Sequence, residues 1–300
     1  MLIRHPLCAA QVLALSLFFA NFETAAQVTT PSATAAQRST AVSDSGYSYF
    51  IGLARYELRY REYVDALPIQ SNAKASNALL VAGTLFPINE DWLVSLDSAS
   101  TLLPGRSSEI WTATADTLNG TRLTSRVLQT NRFSLSENST QILGHYRVRG
   151  PIFGMGGMAL RNQSFKRFSF VAGPDNLVAT PSGTTVEESI TEVMLMAGAA
   201  LESEVVRGQP RHYSLRAMLG VPVWRRLTNT QSPELEFNRS SGFDFILEGR
   251  YSWAVSQRIH LGGWGRFLHS NRARQSIGNF EAPKSQYSGF GYGVEAIWKL

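Results

Sequence analysis

The stretch that decides the fold is Gly289-Phe290-Gly291-Tyr292-Gly293-Val294-Glu295-Ala296-Ile297-Trp298-Lys299-Leu300. Phe290, Tyr292, Val294, Ala296, Trp298 and Leu300 recur at every second position, which is the period of a β-strand. The alternate positions, Gly291, Gly293, Glu295, Ile297 and Lys299, carry small residues, one apolar exception and an opposed charge pair. A strand divided in this way suits hydrocarbon on its bulky face and a narrow polar interior on the other.

The same division recurs upstream. Residues 47–63 send Phe50, Ala54, Tyr56, Leu58 and Tyr60 one way and Arg55, Glu57, Arg59 and Arg61 the other. Residues 77–87 turn through Asn89-Glu90-Asp91 into a strand with Trp92, Val94 and Leu96 opposite Ser95 and Asp97. After a polar stretch at 104–137, residues 141–149 alternate Ile142, Gly144, Tyr146 and Val148 against Leu143, His145 and Arg147. Gly150-Pro151 breaks that strand, and the chain returns through 152–170. Residues 189–205 set Val193, Leu195, Ala197, Ala199 and Leu201 against Glu192 and Glu202, and turn at 208–210 into 213–227. Phe243, Phe245, Leu247, Tyr251 and Trp253 then alternate with Asp244, Glu248 and Arg250, and Ser256-Gln257 leads into 258–269, where His260 and Arg266 oppose Leu261 and Phe267.

The closing strand resembles the C-terminal assembly signal of bacterial outer-membrane β-barrels, in which a final strand ending on an apolar residue closes the barrel. The resemblance, together with the alternating segments, implies an all-β, antiparallel, up-and-down transmembrane barrel of about ten strands. Eight or twelve also fit, because residues 121–133 read equally as a further hairpin arm or as loop. Short turns alternate with long polar segments, the pattern of periplasmic turns and external loops. The external loops are expected at about 65–74, 104–137, 172–188, 228–242 and 271–285. Tyr47, Tyr49, Trp92, Trp253 and Trp298 suit aromatic girdles at the membrane borders.

The other end of the chain fits export. Arg4, an apolar run over 9–20 and Thr24-Ala25-Ala26 before Gln27 have the form of a signal peptide, so 1–26 are expected to be cleaved. Residues 27–45, rich in Thr, Ser and Ala, read as a flexible periplasmic leader, too short for an exported passenger domain, and 46–300 as the barrel. Cys8, the single cysteine, falls in the signal, so the mature chain would offer no disulfide, zinc-thiolate or cysteine nucleophile. The chain has 28 basic and 23 acidic residues; losing Arg4 and Glu23 leaves 27 and 22, with the same net +5. That excess is dispersed along alternating strands, not gathered as a nucleic-acid partner would require. The expected partners are outer-membrane lipids, lipopolysaccharide and the barrel-assembly machinery, with the external ligand left open.

Fourteen side chains are candidates for lining the lumen: Arg55, Glu57, Arg59, Asp97, His145, Arg147, Glu192, Glu202, Arg216, Asp244, Glu248, Arg250, His260 and Arg266. Such groups in a narrow barrel are expected to pair with one another, because an unpaired buried charge is costly. A ten-strand cylinder has room mainly for side chains, so a wide general diffusion pore is not expected. Two readings follow: a structural or ligand-binding barrel acting through its loops, or a narrow channel lined by these Arg and Glu residues.

A membrane hydrolase is the third. Outer-membrane phospholipase A carries His-x-Ser-Asn-Gly, but here His269-Ser270-Asn271-Arg272 lacks the spacer, and adjacent strand residues point to opposite faces. The ten-stranded omptin proteases use an Asp pair and an Asp-His pair, and neither Asp-x-Asp nor Asp-x-His occurs in this chain. Gly154-Met155-Gly156-Gly157 has no following Lys-Ser/Thr and reads as strand glycines instead of a phosphate loop. His145, His212, His260 and His269 share no metal-ligand spacing. No catalytic, cofactor or metal site is expected. The four sequons, at Asn119, Asn138, Asn162 and Asn238, mark polar residues near the loops and nothing more.

Overall fold

In the computed structural model, the residues described are 47–64, 67–178, 185–203, 210–278 and 280–299. The expected signal (1–26), leader (27–45) and Leu300 lie outside them. Among the described residues sixteen strands follow one another: β1 (Ser48–Val64), β2 (Ile69–Pro87), β3 (Trp92–Leu103), β4 (Arg106–Ala113), β5 (Thr117–Leu118), β6 (Thr121–Arg122), β7 (Val127–Arg149), β8 (Ile152–Ala172), β9 (Thr185–Glu202), β10 (Arg211–Asn229), β11 (Ser232–Phe237), β12 (Phe243–Ala254), β13 (Ile259–Arg272), β14 (Gln275–Ile277), β15 (Phe280–Ala282) and β16 (Lys284–Lys299).

Ten staves make the barrel. Each pairs antiparallel with its neighbour in sequence, and β16 returns to pair with β1 from Ser48 opposite Lys299 to Tyr63 opposite Lys284, leaving no open edge. The third stave is double. β3 pairs with β2 and β7 in one half of the wall, and β4 takes over the same two partners in the other half. Pro104-Gly105 separates the two pieces, because proline has no N–H for the ladder. Asn77 of β2 repairs the gap: its Oδ1 accepts the Gly105 N–H at 2.9 Å and its Nδ2 donates to the Leu135 carbonyl of β7 at 2.9 Å. Only glycine fits at 105, since a Cβ there would lie 2.0 Å from the Ser76 carbonyl oxygen.

Across the lower wall the outward side chains are apolar and exposed, among them Ile51, Leu53, Ile142, Leu195, Leu219, Leu247, Leu261 and Val294. An exposed apolar belt of that extent is a lipid-facing surface. Phe290, Tyr292, Val294 and Trp298 lie on it, as the closing strand's period requires, and Gly291, Glu295, Ile297 and Lys299 are buried inside. On β16 the outward apolar positions run from Phe290 to Trp298, nine residues, which is what a tilted strand needs to cross.

Above the belt the wall continues and its polarity reverses. β7 and β8 are 23 and 21 residues long, about twice the crossing length. On β1 the inward residues become Ala54, Tyr56, Leu58 and Tyr60, all buried, while Arg55, Glu57 and Arg59 stand exposed outside. This corrects the expectation that those three line the lumen. The parity of the strand is unbroken; its surroundings change from lipid to water beyond Leu53, so the charged face moves outward as in a soluble protein.

The same reversal hides strands where loops were expected. Residues 65–74 are mostly the start of β2, 104–137 hold β4, β5, β6 and about the first half of β7, and 121–133 fall in β6 and β7 instead of a separate stave. What projects is compact. Asn119-Gly120, both at positive φ, makes the two-residue turn between β5 and β6, as Asn-Gly does in hairpins, so the sequon there is a turn signal. Ile69, Ala113, Leu118 and Leu128 bury one another over that end of the barrel, with Trp111, Leu123 and Val178 packed against them.

Candidate functional site: the charged interior and its cap

Inward parity brings side chains from all round the wall into one narrow space. Toward the end that carries the short turns, Arg216 Nε meets Glu202 at 2.7 Å and its Nη1 meets Asp97 at 2.8 Å. Arg250 lies beside Glu295 at 3.1 Å and Glu248 at 3.2 Å, with its guanidinium carbon 3.7 Å from the centre of the Phe50 ring. Gln141 adds an N–H to Asp97 at 3.3 Å.

At the next level Arg161 bridges Glu192 at 2.6 Å and Asp244 at 2.7 Å. Arg272 holds the same two carboxylates at 2.8 and 2.7 Å, and Arg225 reaches Glu192 at 3.2 Å. Toward the far end Arg167 crosses the lumen to Glu62 at 2.7 Å and Glu109 at 2.8 Å, over the rings of Tyr60, Trp111 and Phe133. Tyr60 donates to Glu62 at 2.5 Å and Asn131 to Glu109 at 2.8 Å. Between these levels Glu137 accepts from Gln163 and Tyr287, each at 2.8 Å.

Each carboxylate in these levels is desolvated and each has a cationic partner at hydrogen-bond distance, the arrangement that lets charge be buried at tolerable cost. Among the described residues a cavity of about 10 Å³ is lined by Asp97, Gln141, Glu248, Arg250, Trp264 and Arg266, room for about one water molecule.

Of the fourteen candidates, Asp97, His145, Glu192, Glu202, Arg216, Asp244, Glu248, Arg250 and His260 are buried in the interior and Arg266 is half-buried beside the cavity. Arg147 sits at the rim by the β7–β8 turn, donating to the Glu90 and Gly150 carbonyls over the Phe153 ring. Arg55 and Glu57 pair with each other on the outside at 3.1 Å. Sequence reasoning missed Glu62, Glu109, Arg161, Arg167, Arg225 and Arg272. The signal was there: extending the inward parity of Tyr60 reaches Glu62, and that of Leu268 reaches Arg272.

The histidines are scattered. His145 bonds Ser95 at 2.9 Å and His260 lies 3.5 Å from Ser252, both buried. Ser270 is buried while its neighbour His269 faces outward, where Nδ1 meets Ser288 Oγ at 2.8 Å. Glycines 154, 156 and 157 lie within β8. Among the described residues no three His, Cys, Asp or Glu side chains gather as a metal site.

The cap over the far end is tied between two segments. Asp175, in the turn after β8, accepts the backbone N–H of Thr124 at 3.0 Å and of Ser125 at 3.1 Å, and also the Thr124 hydroxyl. That hydroxyl first, and then the backbone donors, hold the carboxyl below the usual aspartate range. Arg126 pairs with Asp116 at 2.6 Å on the same surface.

Comparison with known proteins supports the fold. No family model matches the sequence, and no curated protein does either. Among solved structures, the outer membrane protease OmpT of Escherichia coli is similar over 86% of this chain and 97% of its own, with a TM-score of 0.59 and 10% identity. The translocator domain of the autotransporter NalP from Neisseria meningitidis matches over 87% of this chain and 90% of its own, with a TM-score of 0.38 and 11% identity.

Proposed function

We propose that this β-barrel, with its apolar outward belt, sits in the bacterial outer membrane and works as a closed barrel, with a binding or structural role exercised through its external cap. The observation that carries this is the interior: arginine–carboxylate pairs cross the lumen at three levels. A conduit needs a continuous water path, and these pairs occupy it. The same pairing engages the buried Asp and Glu side chains that acid–base chemistry would require free. The cap, by contrast, is built from packed apolar residues and ordered turns and presents a defined surface to the exterior. Residues 1–26 serve in this reading as export signal and 27–45 as leader, with lipids, lipopolysaccharide and the assembly machinery as partners.

The narrow channel is the competing function. In planar bilayers the folded protein is expected to be electrically silent. Discrete conductance steps that shift in Glu248→Gln, a substitution inside the lumen, would refute the closed barrel.

A further inference from the structure

At the level of Arg167 the interior holds more negative charge than its arginine can pair. Arg167 gives Nη2 to Glu62 at 2.7 Å and Nε to Glu109 at 2.8 Å, while Glu188 comes no nearer than 3.8 Å to Nη1, beyond hydrogen-bond length. Three carboxylates therefore share one guanidinium. The charged and titratable groups that face Glu188 are Tyr60 and Glu62 from β1, Glu109 from β4, Arg167 from β8 and Arg225 from β10. Phe165 and Asn229 stand opposite it in the ladders. Of these, Arg225 is taken by Glu192 at 3.2 Å, and the Tyr60 hydroxyl already donates to Glu62.

The position of Glu188 gives its charge a mechanical consequence. The rungs beyond it, Glu187 with Lys166, Val186 with Arg167 and Thr185 with Phe168, are the last of the β8–β9 ladder. On the outer face of those rungs Lys166 and Glu187 pair at 3.4 Å with the lysine 47% exposed, which sets them above the lipid belt. The Glu188 side chain is 13% exposed, stripped of most of its water yet open enough to exchange a proton. A carboxylate buried in negative surplus takes up a proton sooner than it stays charged. Burial first and the Glu62 charge next, with Glu109 adding to them against Arg167 and Arg225, push Glu188 up to about 7. Once ionised, it is repelled by Glu62 and Glu109, and the strain falls on the free end of β9.

We propose that Glu188 is a proton-operated latch at the external end of the barrel: protonated, it lets the start of β9 close on β8 beside Arg167, and deprotonated, it opens those last rungs. The latch is a device beyond the binding or structural role of the cap, and a conducting lumen would leave it standing.

The test is hydrogen exchange at the amides of Val186 and Phe168, in the folded full-length chain in lipid vesicles, corrected for the intrinsic effect of pH. A raised carboxyl stabilises the closed rungs fully below the ordinary glutamate value of about 4.3, and that contribution is lost as pH rises through about 7. Opening should therefore become on the order of a hundredfold easier between about pH 5 and about pH 9. Glu188→Gln, which cannot ionise, should keep the rungs protected throughout. Glu62→Gln removes the neighbouring charge that raises Glu188 most and frees Arg167 for it, so the transition should move to lower pH, a shift that a merely structural role would not produce. Glu187→Gln, on the outer face, should leave the transition in place. The parent's pH dependence persisting in Glu188→Gln would overturn the proposal, as would an unmoved transition in Glu62→Gln. So would a Glu188 carboxyl that titrates at the ordinary value in the unaltered protein, followed by its own carbon-13 resonance, a measurement that needs no variant to fold.

Discussion

Replacing Arg167 with methionine probes the principle on which the interior is built. Arg167 is the cation shared by Glu62 and Glu109, at 2.7 and 2.8 Å, and the three side chains are 9%, 4% and 0% exposed. Without it, Glu62 keeps the Tyr60 hydroxyl and Glu109 keeps the Asn131 amide, but neither keeps a charge partner at that distance. Removing one member of a buried pair costs about 3–5 kcal/mol, and with two carboxylates stranded the upper end, about 5 kcal/mol, is expected. Arg161→Met should cost less, about 3 kcal/mol, because Arg272 still holds both Glu192 and Asp244. Reversible urea unfolding of the barrel in lipid vesicles measures both. The combination Glu62→Gln/Glu109→Gln/Arg167→Met should recover most of the loss, since it leaves neither of those two carboxylates charged and strands only the more exposed Glu188, 3.8 Å from Arg167. A loss below about 1 kcal/mol for Arg167→Met, or no recovery in the combination, would refute the reasoning, because intact carboxylates would then not depend on that arginine.

Two further outcomes follow from particular contacts. Asn77→Ala leaves the Gly105 N–H and the Leu135 carbonyl unpaired at the break between β3 and β4, so unfolding in the same assay should be easier by about 2–6 kcal/mol, at about 1–3 kcal/mol per stranded group. The Asp175 clasp should depend on acid: the carboxyl is depressed in the folded chain, so its contribution is present above the ordinary aspartate pKa of about 3.9 and is lost as pH falls through the lowered value. Hydrogen exchange at the Thr124 and Ser125 amides should therefore be slow at neutral pH and speed up in strong acid beyond the intrinsic pH effect, while Asp175→Ala should exchange fast throughout. An acid-insensitive clasp would place its strength elsewhere.

The fold was legible where lipid touches it. On β16, and on β12 and β13 from Leu247 to Leu261, hydrocarbon outside and packed polar groups inside impose opposite chemistry on alternate residues, and a single sequence displays that directly. Above the belt the contrast fades. On β7, Arg132 faces water while Phe133 and Leu135 face the interior, which reverses the rule that holds at Ile142 and Leu143 on the same strand. A reading keyed to apolar-outside therefore turns Arg55, Glu57 and Arg59 inward and hears β4 and the first part of β7 as loop. Glu62, Glu109, Arg167 and Arg272 were missed for the same reason: they sit in the protruding wall. What could have found them is parity alone, carried along each strand without regard to polarity. The pairing of the charges was foreseeable in kind, from the cost of burying them, though not in its partners, since Arg167 with Glu62 and Arg161 with Asp244 join residues far apart in sequence.

The closed lumen can be probed directly, because Cys8 is the chain's only cysteine and lies in the expected signal. Gln141→Cys places a thiol beside Asp97 in the buried interior, and Asn72→Cys places one on the exposed outer wall above the belt. With the protein in vesicles, a charged, water-soluble thiol reagent should label position 72 rapidly and leave position 141 unmodified from either side of the membrane. Labelling of position 141 at a rate comparable to position 72 would contradict the account, for it would require a water path through the arginine–carboxylate levels.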